Sequence, residues 1–241
     1  MGRPDIKGDA RRAMDVIKGG GGVIFPVDVG YTFIGGSAPT LQRIFTTKGR
    51  AEHKRKAMVA DRALQDEIHV LDSRARDIVR CLTEDYDLPL GPIAPFRLDH
   101  PMIRKLEAYT MRGSTVGDTL AMLVNAGPFH AEMCRLSREE EQPLFGSSAN
   151  LTGTGTRFRV EDIQPELRAV ADLIIDYGLR KYHHYRRSAT LLNVQTLEVV
   201  RVGACYDLIS DIMKRHFDVE LPPDPGLDRL PSGHLRDLAM A

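Results

Sequence analysis

Three stretches of the chain hold side chains whose types and spacing suit a phosphorylated ligand. The first is Lys48-Gly49-Arg50, with Lys54, Arg55 and Lys56 just beyond. A lysine and an arginine two residues apart in irregular backbone can converge on one polyanion, the ammonium as a compact charge and the guanidinium as a two-pronged donor. The second is Gly146-Ser147-Ser148-Ala149-Asn150-Leu151-Thr152-Gly153. Its hydroxyls, amide and glycines follow the apolar pair Leu144-Phe145, and open α/β sheets carry ligand loops at such strand ends. The third is Arg187-Ser188-Ala189-Thr190 leading into an apolar run, with Arg201-Val202-Gly203-Ala204 closing the next. Taken singly, each also fits a solvated basic face, a turn or strand-edge hydroxyls.

Other chemistries find less in the sequence. Tyr182-His183-His184-Tyr185, set among Arg180, Lys181, Arg186 and Arg187, could stack bases or anchor phosphates, and equally suits an exposed loop ahead of a strand. Adjacent histidines point apart on a strand and lack an obvious third ligand, which argues against a metal centre. There is no G-x-S-x-G nucleophile elbow. The run Gly19-Gly20-Gly21-Gly22 lacks the G-K-[ST] ending of a phosphate loop and precedes a strand instead of following one.

These groups must be positioned by interleaved helices and strands. Residues 9–18 place Ala13, Met14 and Ile17 on one helical face, and the glycine run ends that helix. Val23-Ile24-Phe25 reads as a strand stopped by Pro26; residues 31–34 read as a second, and Pro39 opens a helix that runs out at Lys48. Residues 74–82, 101–109, 118–125 and 160–169 are predicted helical, with Asp118 as N-cap of the third. Residues 144–145 and 172–176 read as strands, and 189–194 with 197–202 as a hairpin about Gln195-Thr196. This alternation predicts an α/β fold with a mixed sheet.

Composition narrows the partners. The 241 residues carry 33 Lys/Arg against 33 Asp/Glu, with 42% hydrophobic residues, as expected for an ordinary folded protein. Apolar stretches such as residues 22–29 fall short of the roughly 20 residues that cross a bilayer. The charged N-terminus lacks a secretory core, so a cytoplasmic protein without membrane contact is expected. Cys81, Cys134 and Cys205 are widely spaced and read as reduced, buried small hydrophobes. Charge is uneven: residues 41–62 hold seven Lys/Arg against Glu52 and Asp61, and residues 180–187 hold four against none. Two such runs on a neutral chain favour an anionic ligand, nucleotide or RNA.

In this order and at these separations the segments resemble the YrdC-like family, which includes threonylcarbamoyl-AMP synthases. Gly19 to Phe33 is similar to that family's glycine, apolar strand and P-T-D/E-T-x-Y-G; Lys48 and Arg50 match K-x-R, and Lys54 the lysine after it. Leu90-Gly91-Pro92-Ile93-Ala94 resembles P-G-P-x-T, Met111-Arg112-Gly113-Ser114 resembles V-R-x-P, and residues 147–153 resemble T-S-A-N-x-S-G. Ser188-Ala189-Thr190 and Arg201-Val202-Gly203 fit the closing S-T-V and L-R-x-G. The resemblance implies a twisted mixed sheet flanked by helices, with a large basic concave cavity, over residues 1–204. Residues 205–241 would add a helix and an extended, loosely docked tail.

By the family pattern the chain would combine ATP, bicarbonate and an amino acid, L-threonine in the family, into a carbamoyl-adenylate for tRNA modification. Mg2+ would ride on the phosphates. Lys48, Arg50, Lys54, Ser148, Asn150, Ser188 and Arg201 would be the nucleotide contacts; Val27, Val29, Tyr31 and Arg112 fall on the amino-acid side. That side is altered: valines stand at 27 and 29 where the family has threonines, Ala94 replaces a threonine and Ser114 a proline. The alternative is a non-catalytic protein that binds nucleotide, tRNA or double-stranded RNA in the same hollow.

Overall fold

The computed structural model describes residues 3–49 and 55–238. Helix α1 (Ile6–Lys18) starts at Asp5, whose carboxylate accepts from the Gly8 amide at 3.0 Å, and it buries Ala10, Ala13, Met14 and Ile17. Strands β1 (Gly22–Val27) and β2 (Gly30–Gly35) form an antiparallel hairpin. β1 continues through Pro26, where the sequence predicts a stop. Its partner Tyr31 sends its amide to the Arg157 carbonyl instead, so the hydrogen proline lacks is not needed there.

Helix α2 (Ala38–Thr47) carries Pro39 in its first turn, and β3 (Ala57–Val59), α3 (Arg62–Ile68) and α4 (Ser73–Arg80) follow. Asp61 and Asp72 cap α3 and α4. Cys81 opens a π-helical turn and is only half-buried, so of the three cysteines only Cys134 and Cys205 are fully enclosed as expected.

After β4 (Leu90–Pro95), the predicted helix 101–109 is two helices, α5 (Pro101–Arg104) and α6 (Ala108–Ser114). The break lies beside Glu107, whose carboxylate is held by the Ala38 amide at the start of α2. Strands β5 (Thr115–Val116) and β6 (Thr119–Leu123) occupy the region predicted as the helix 118–125. Thr119-Leu-Ala-Met-Leu alternates in burial, and β6 pairs with β3, β4 and β5. Period two wins because three partners satisfy its backbone.

Helix α7 (Pro128–Glu139) packs on α1, and β7 (Phe145–Ser148) lies between β3 and β2. Residues 160–169 form a 3-10 turn and then α8 (Pro165–Ala169), since the residue before a proline resists helical backbone. Short β8 (Leu173–Ile174) joins β1; β9 (Thr190–Asn193) and β10 (Val199–Arg201) form the predicted hairpin, and α9 (Tyr206–Phe217) follows.

The strands form one mixed sheet in the order β10-β9-β4-β6-β3-β7-β2-β1-β8, with β5 beside β6. Among the described residues no helix is long and apolar enough to cross a membrane.

Candidate functional site: a cavity on one face of the sheet

Strand register decides which side chains meet. Ala57 pairs with Gly146, Val59 with Leu123, Ile34 with Gly146, Thr32 with Ser148, Ile93 with Ala121 and Gly91 with Leu191. Opposed residues share a face, so these line one side of the sheet. They border a cavity of about 290 Å³. The intervening residues Met58, Leu120, Met122 and Phe145 belong to the apolar core under α2, α3 and α5. Gly146 is required at the floor, because a Cβ there would stand 2.1 Å from the Phe33 carbonyl oxygen.

One end of the cavity is built where α2 runs out. Lys48 is 2% exposed, and its ammonium donates to the backbone carbonyls of Ser148 and Asn150, while its own carbonyl accepts from the Thr152 amide at 3.0 Å. It therefore fastens the loop after β7 to the end of α2. Among the described residues five hidden atoms of the cavity lining lack a hydrogen-bond partner: Ser114 Oγ, Ser147 Oγ, Asn150 Oδ1, Thr152 Oγ1 and Arg187 Nε. Arg55 also borders the cavity. Lys56 lies behind it, buried with its ammonium 4.4 Å from the Tyr109 ring centroid and 4.9 Å from that of Phe45. Arg50 and Lys54 fall outside the described residues.

The other end is built by β9 and β10. The Arg201 guanidinium donates to the Ala189 carbonyl at 2.9 and 2.6 Å, and Ser188 lines the wall beside it. Arg187, 3% exposed, also borders the cavity and forms two 2.8 Å bonds to the Asp224 carboxylate. Residues of the tail, among them Ser232, His234, Arg236 and Asp237, complete this end. The described lining thus carries Lys48, Arg55, Arg187, Arg201 and Arg236 against Glu198 and Asp237.

The β1–β2 hairpin splits its residues between two hollows. Val27 and Val29 border the main cavity but are almost fully packed into the core. Asp28, between them, lies in a separate hollow with Asp87, Asn125, Lys181 and Tyr182. Burial raises its carboxyl above the usual range, against the pull of Lys181 and Arg180. Tyr31 also borders the main cavity, but its single hydroxyl hydrogen is shared between the Asp176 carboxylate and the Gly178 carbonyl, and its oxygen accepts from the Tyr177 amide. Burial pushes that phenol up to about 12. Arg112 is exposed on α6 and is not among the cavity-lining residues.

A family model described as telomere recombination, the Sua5/YciO/YrdC domain, matches residues 15–203. The chain belongs to that family. Its fold is that of P. abyssi Sua5 complexed with L-threonine, with a TM-score of 0.68 at 18% identity over 90% of this chain and 60% of that one. E. coli YciO gives 0.61 at 19% identity, covering 83% of this chain and 92% of the other. Full-length HypF in its phosphate- and nucleotide-bound form gives 0.55 at 15%, covering 85% of this chain and 24% of HypF. The chain spans about three fifths of the length of the Sua5 structures. No curated protein matches it in sequence.

Within this family member, Lys48, Ser148, Asn150, Ser188 and Arg201 meet at one cavity although they span 154 positions of the chain. Sequence reasoning allowed the tail to lie loosely over the basic surface but named none of its residues as part of the wall. The available signal was Ser232-Gly233-His234, a turn-forming triplet inside an otherwise polar, proline-rich stretch.

Proposed function

We propose that this cavity binds ATP and that the chain, in the cytoplasm, forms a carbamoyl-adenylate from ATP, bicarbonate and an amino acid for tRNA modification. The observation that carries this reading is the convergence of Lys48, Ser148, Asn150, Ser188 and Arg201 on one hollow. The Sua5 complex with L-threonine and the phosphate- and nucleotide-bound form of HypF support the two ligand classes. In the reaction a carbamate oxygen attacks the α-phosphorus, a new P–O bond forms, and the bond to the departing pyrophosphate breaks. Such displacement needs charge neutralisation and alignment more than a protein nucleophile.

Lys48 and Arg55 would face the phosphates, and Ser148, Asn150 and Thr152 would orient them. The unmet hydrogen-bond capacity beside them, about 1 to 3 kcal/mol per group, is recovered if a ligand reaches it. Magnesium would supply further charge neutralisation on the phosphates. Among the described residues no group of three His, Cys, Asp or Glu could hold a metal.

Calorimetric titration with Mg-ATP tests the reading, followed by pyrophosphate release with bicarbonate and a panel of amino acids. Micromolar to millimolar ATP binding and turnover with at least one amino acid are expected. Val27→Thr with Val29→Thr should shift preference toward L-threonine. Absence of ATP binding at millimolar concentration, with salt-sensitive binding of tRNA or double-stranded RNA instead, would replace this reading with the non-catalytic one.

A further inference from the structure

The family match ends at residue 203, yet the cavity is walled at one end by residues 231–237. This stretch is fastened in three ways. Arg187 is nearly fully buried, and both terminal nitrogens of its guanidinium hold the tail, Nη1 with two bonds to Asp224 and Nη2 with a 2.7 Å bond to the Leu230 carbonyl, while its Nε has no partner among the described residues. A buried guanidinium is tolerated only when paired and hydrogen-bonded, so the body of the domain and the tail fold as one unit here. The Val202 amide donates to the Gly233 carbonyl at 2.8 Å, and Arg201 forms an antiparallel bridge with His234 at the edge of β10. Gly233 has φ +72°, and a Cβ on it would lie 2.0 Å from the Val202 carbonyl oxygen. Only glycine lets the two backbones approach this closely.

The bridge fixes what a ligand would meet. Any group that reaches Arg201 lies against the backbone neighbour His234, with Arg236 further along the same wall. We infer that the C-terminal segment 231–237 is a ligand-contacting wall of the site, with His234 and Arg236 touching a bound nucleoside triphosphate. The inference rests on the nucleotide reading above.

The full-length chain tests it. In His234→Ala/Arg236→Ala the Kd for Mg-ATP should rise at least fivefold by titration calorimetry, and ATP should slow amide exchange across 231–237 in the wild type. Gly233→Ala, which changes no cavity side chain but cannot dock, should raise the Kd similarly and speed exchange of the segment without ligand. Double-variant affinity within twofold of wild type, or exchange across 231–237 that ignores ATP, overturns the wall. A wild type that binds no ATP overturns the nucleotide reading itself.

Discussion

The two faces of the central sheet are made from alternate residues of the same strands and have opposite fates. On the covered face, Met58, Leu120, Met122 and Phe145 interlock with Leu41, Phe45, Leu64 and Met102. On the other face, Ala57, Ile93, Ala121, Leu123 and Leu191 remain half-buried along the cavity. Polar groups differ in the same sense. In the helix layers His69 uses both ring nitrogens, on Gln65 and the Leu120 carbonyl, and His130 meets the Leu123 carbonyl. At the hollow, hydroxyl and amide oxygens have no partners among the described residues. The lesson is one of division: one face is filled for stability, while the other keeps volume and hydrogen-bond capacity for a guest.

Acid should break the covered layers first, and by the largest amount. Burial lowers the pKa of both His69 and His130 to about 4, so the folded protein holds them neutral where an unfolded chain, near 6.5, would bind protons. The unfolded state then carries more protons between these values, and stability falls as pH drops through that window. Each ring contributes about 1.4 kcal/mol per pH unit there, up to about 3 kcal/mol in all. Urea unfolding at pH 7, 6 and 5 should show the midpoint falling progressively, with no such slope between pH 7 and 8. A flat profile from pH 7 to 5 would show that the rings are not buried neutral.

How much of this was legible in the sequence depends on whether a residue's fate is local. The serine–asparagine loop after a strand and the glycine-ended first helix were readable, because strand ends and caps are set within a few residues. Residues 118–125 were not, since five apolar-rich positions fit both periods and only pairing with β3, β4 and β5 decides between them. The tail read as loose because its composition is polar and proline-rich. Its docking depends on Arg187 and on a glycine contact that no local pattern encodes. Lys48 is the sharpest case: its type announces an anion site, but its ammonium goes to carbonyls about 100 positions away.

That placement yields the second prediction, on the cavity face itself. Lys48→Ala removes the staple between α2 and the 148–152 loop; the Ser148 carbonyl keeps the Asn150 amide but the Asn150 carbonyl loses its ammonium donor, at a cost of about 1 to 3 kcal/mol. Both stability and ATP affinity should fall, and Lys48→Arg should recover part of the stability. A Lys48→Ala protein that melts like wild type would mean that the lysine serves only a ligand, which would sharpen the contrast between the two faces beyond what its burial supports.

The smallest effect is also the most discriminating. Ile93 lies on the cavity floor, half-buried and opposite Ala121, one residue from the buried Ala94 that faces the other way. If that face is kept open for a guest, Ile93→Ala should cost about 1 kcal/mol of stability, well under the roughly 2 to 5 kcal/mol of a fully buried aliphatic truncation. ATP affinity should change by about threefold all the same, because the side chain shapes the floor on which a ligand rests. Chemical denaturation and titration calorimetry on one preparation separate the two quantities. A loss of 3 kcal/mol or more would mean the floor is packed core, and the division between the faces would fail at its centre.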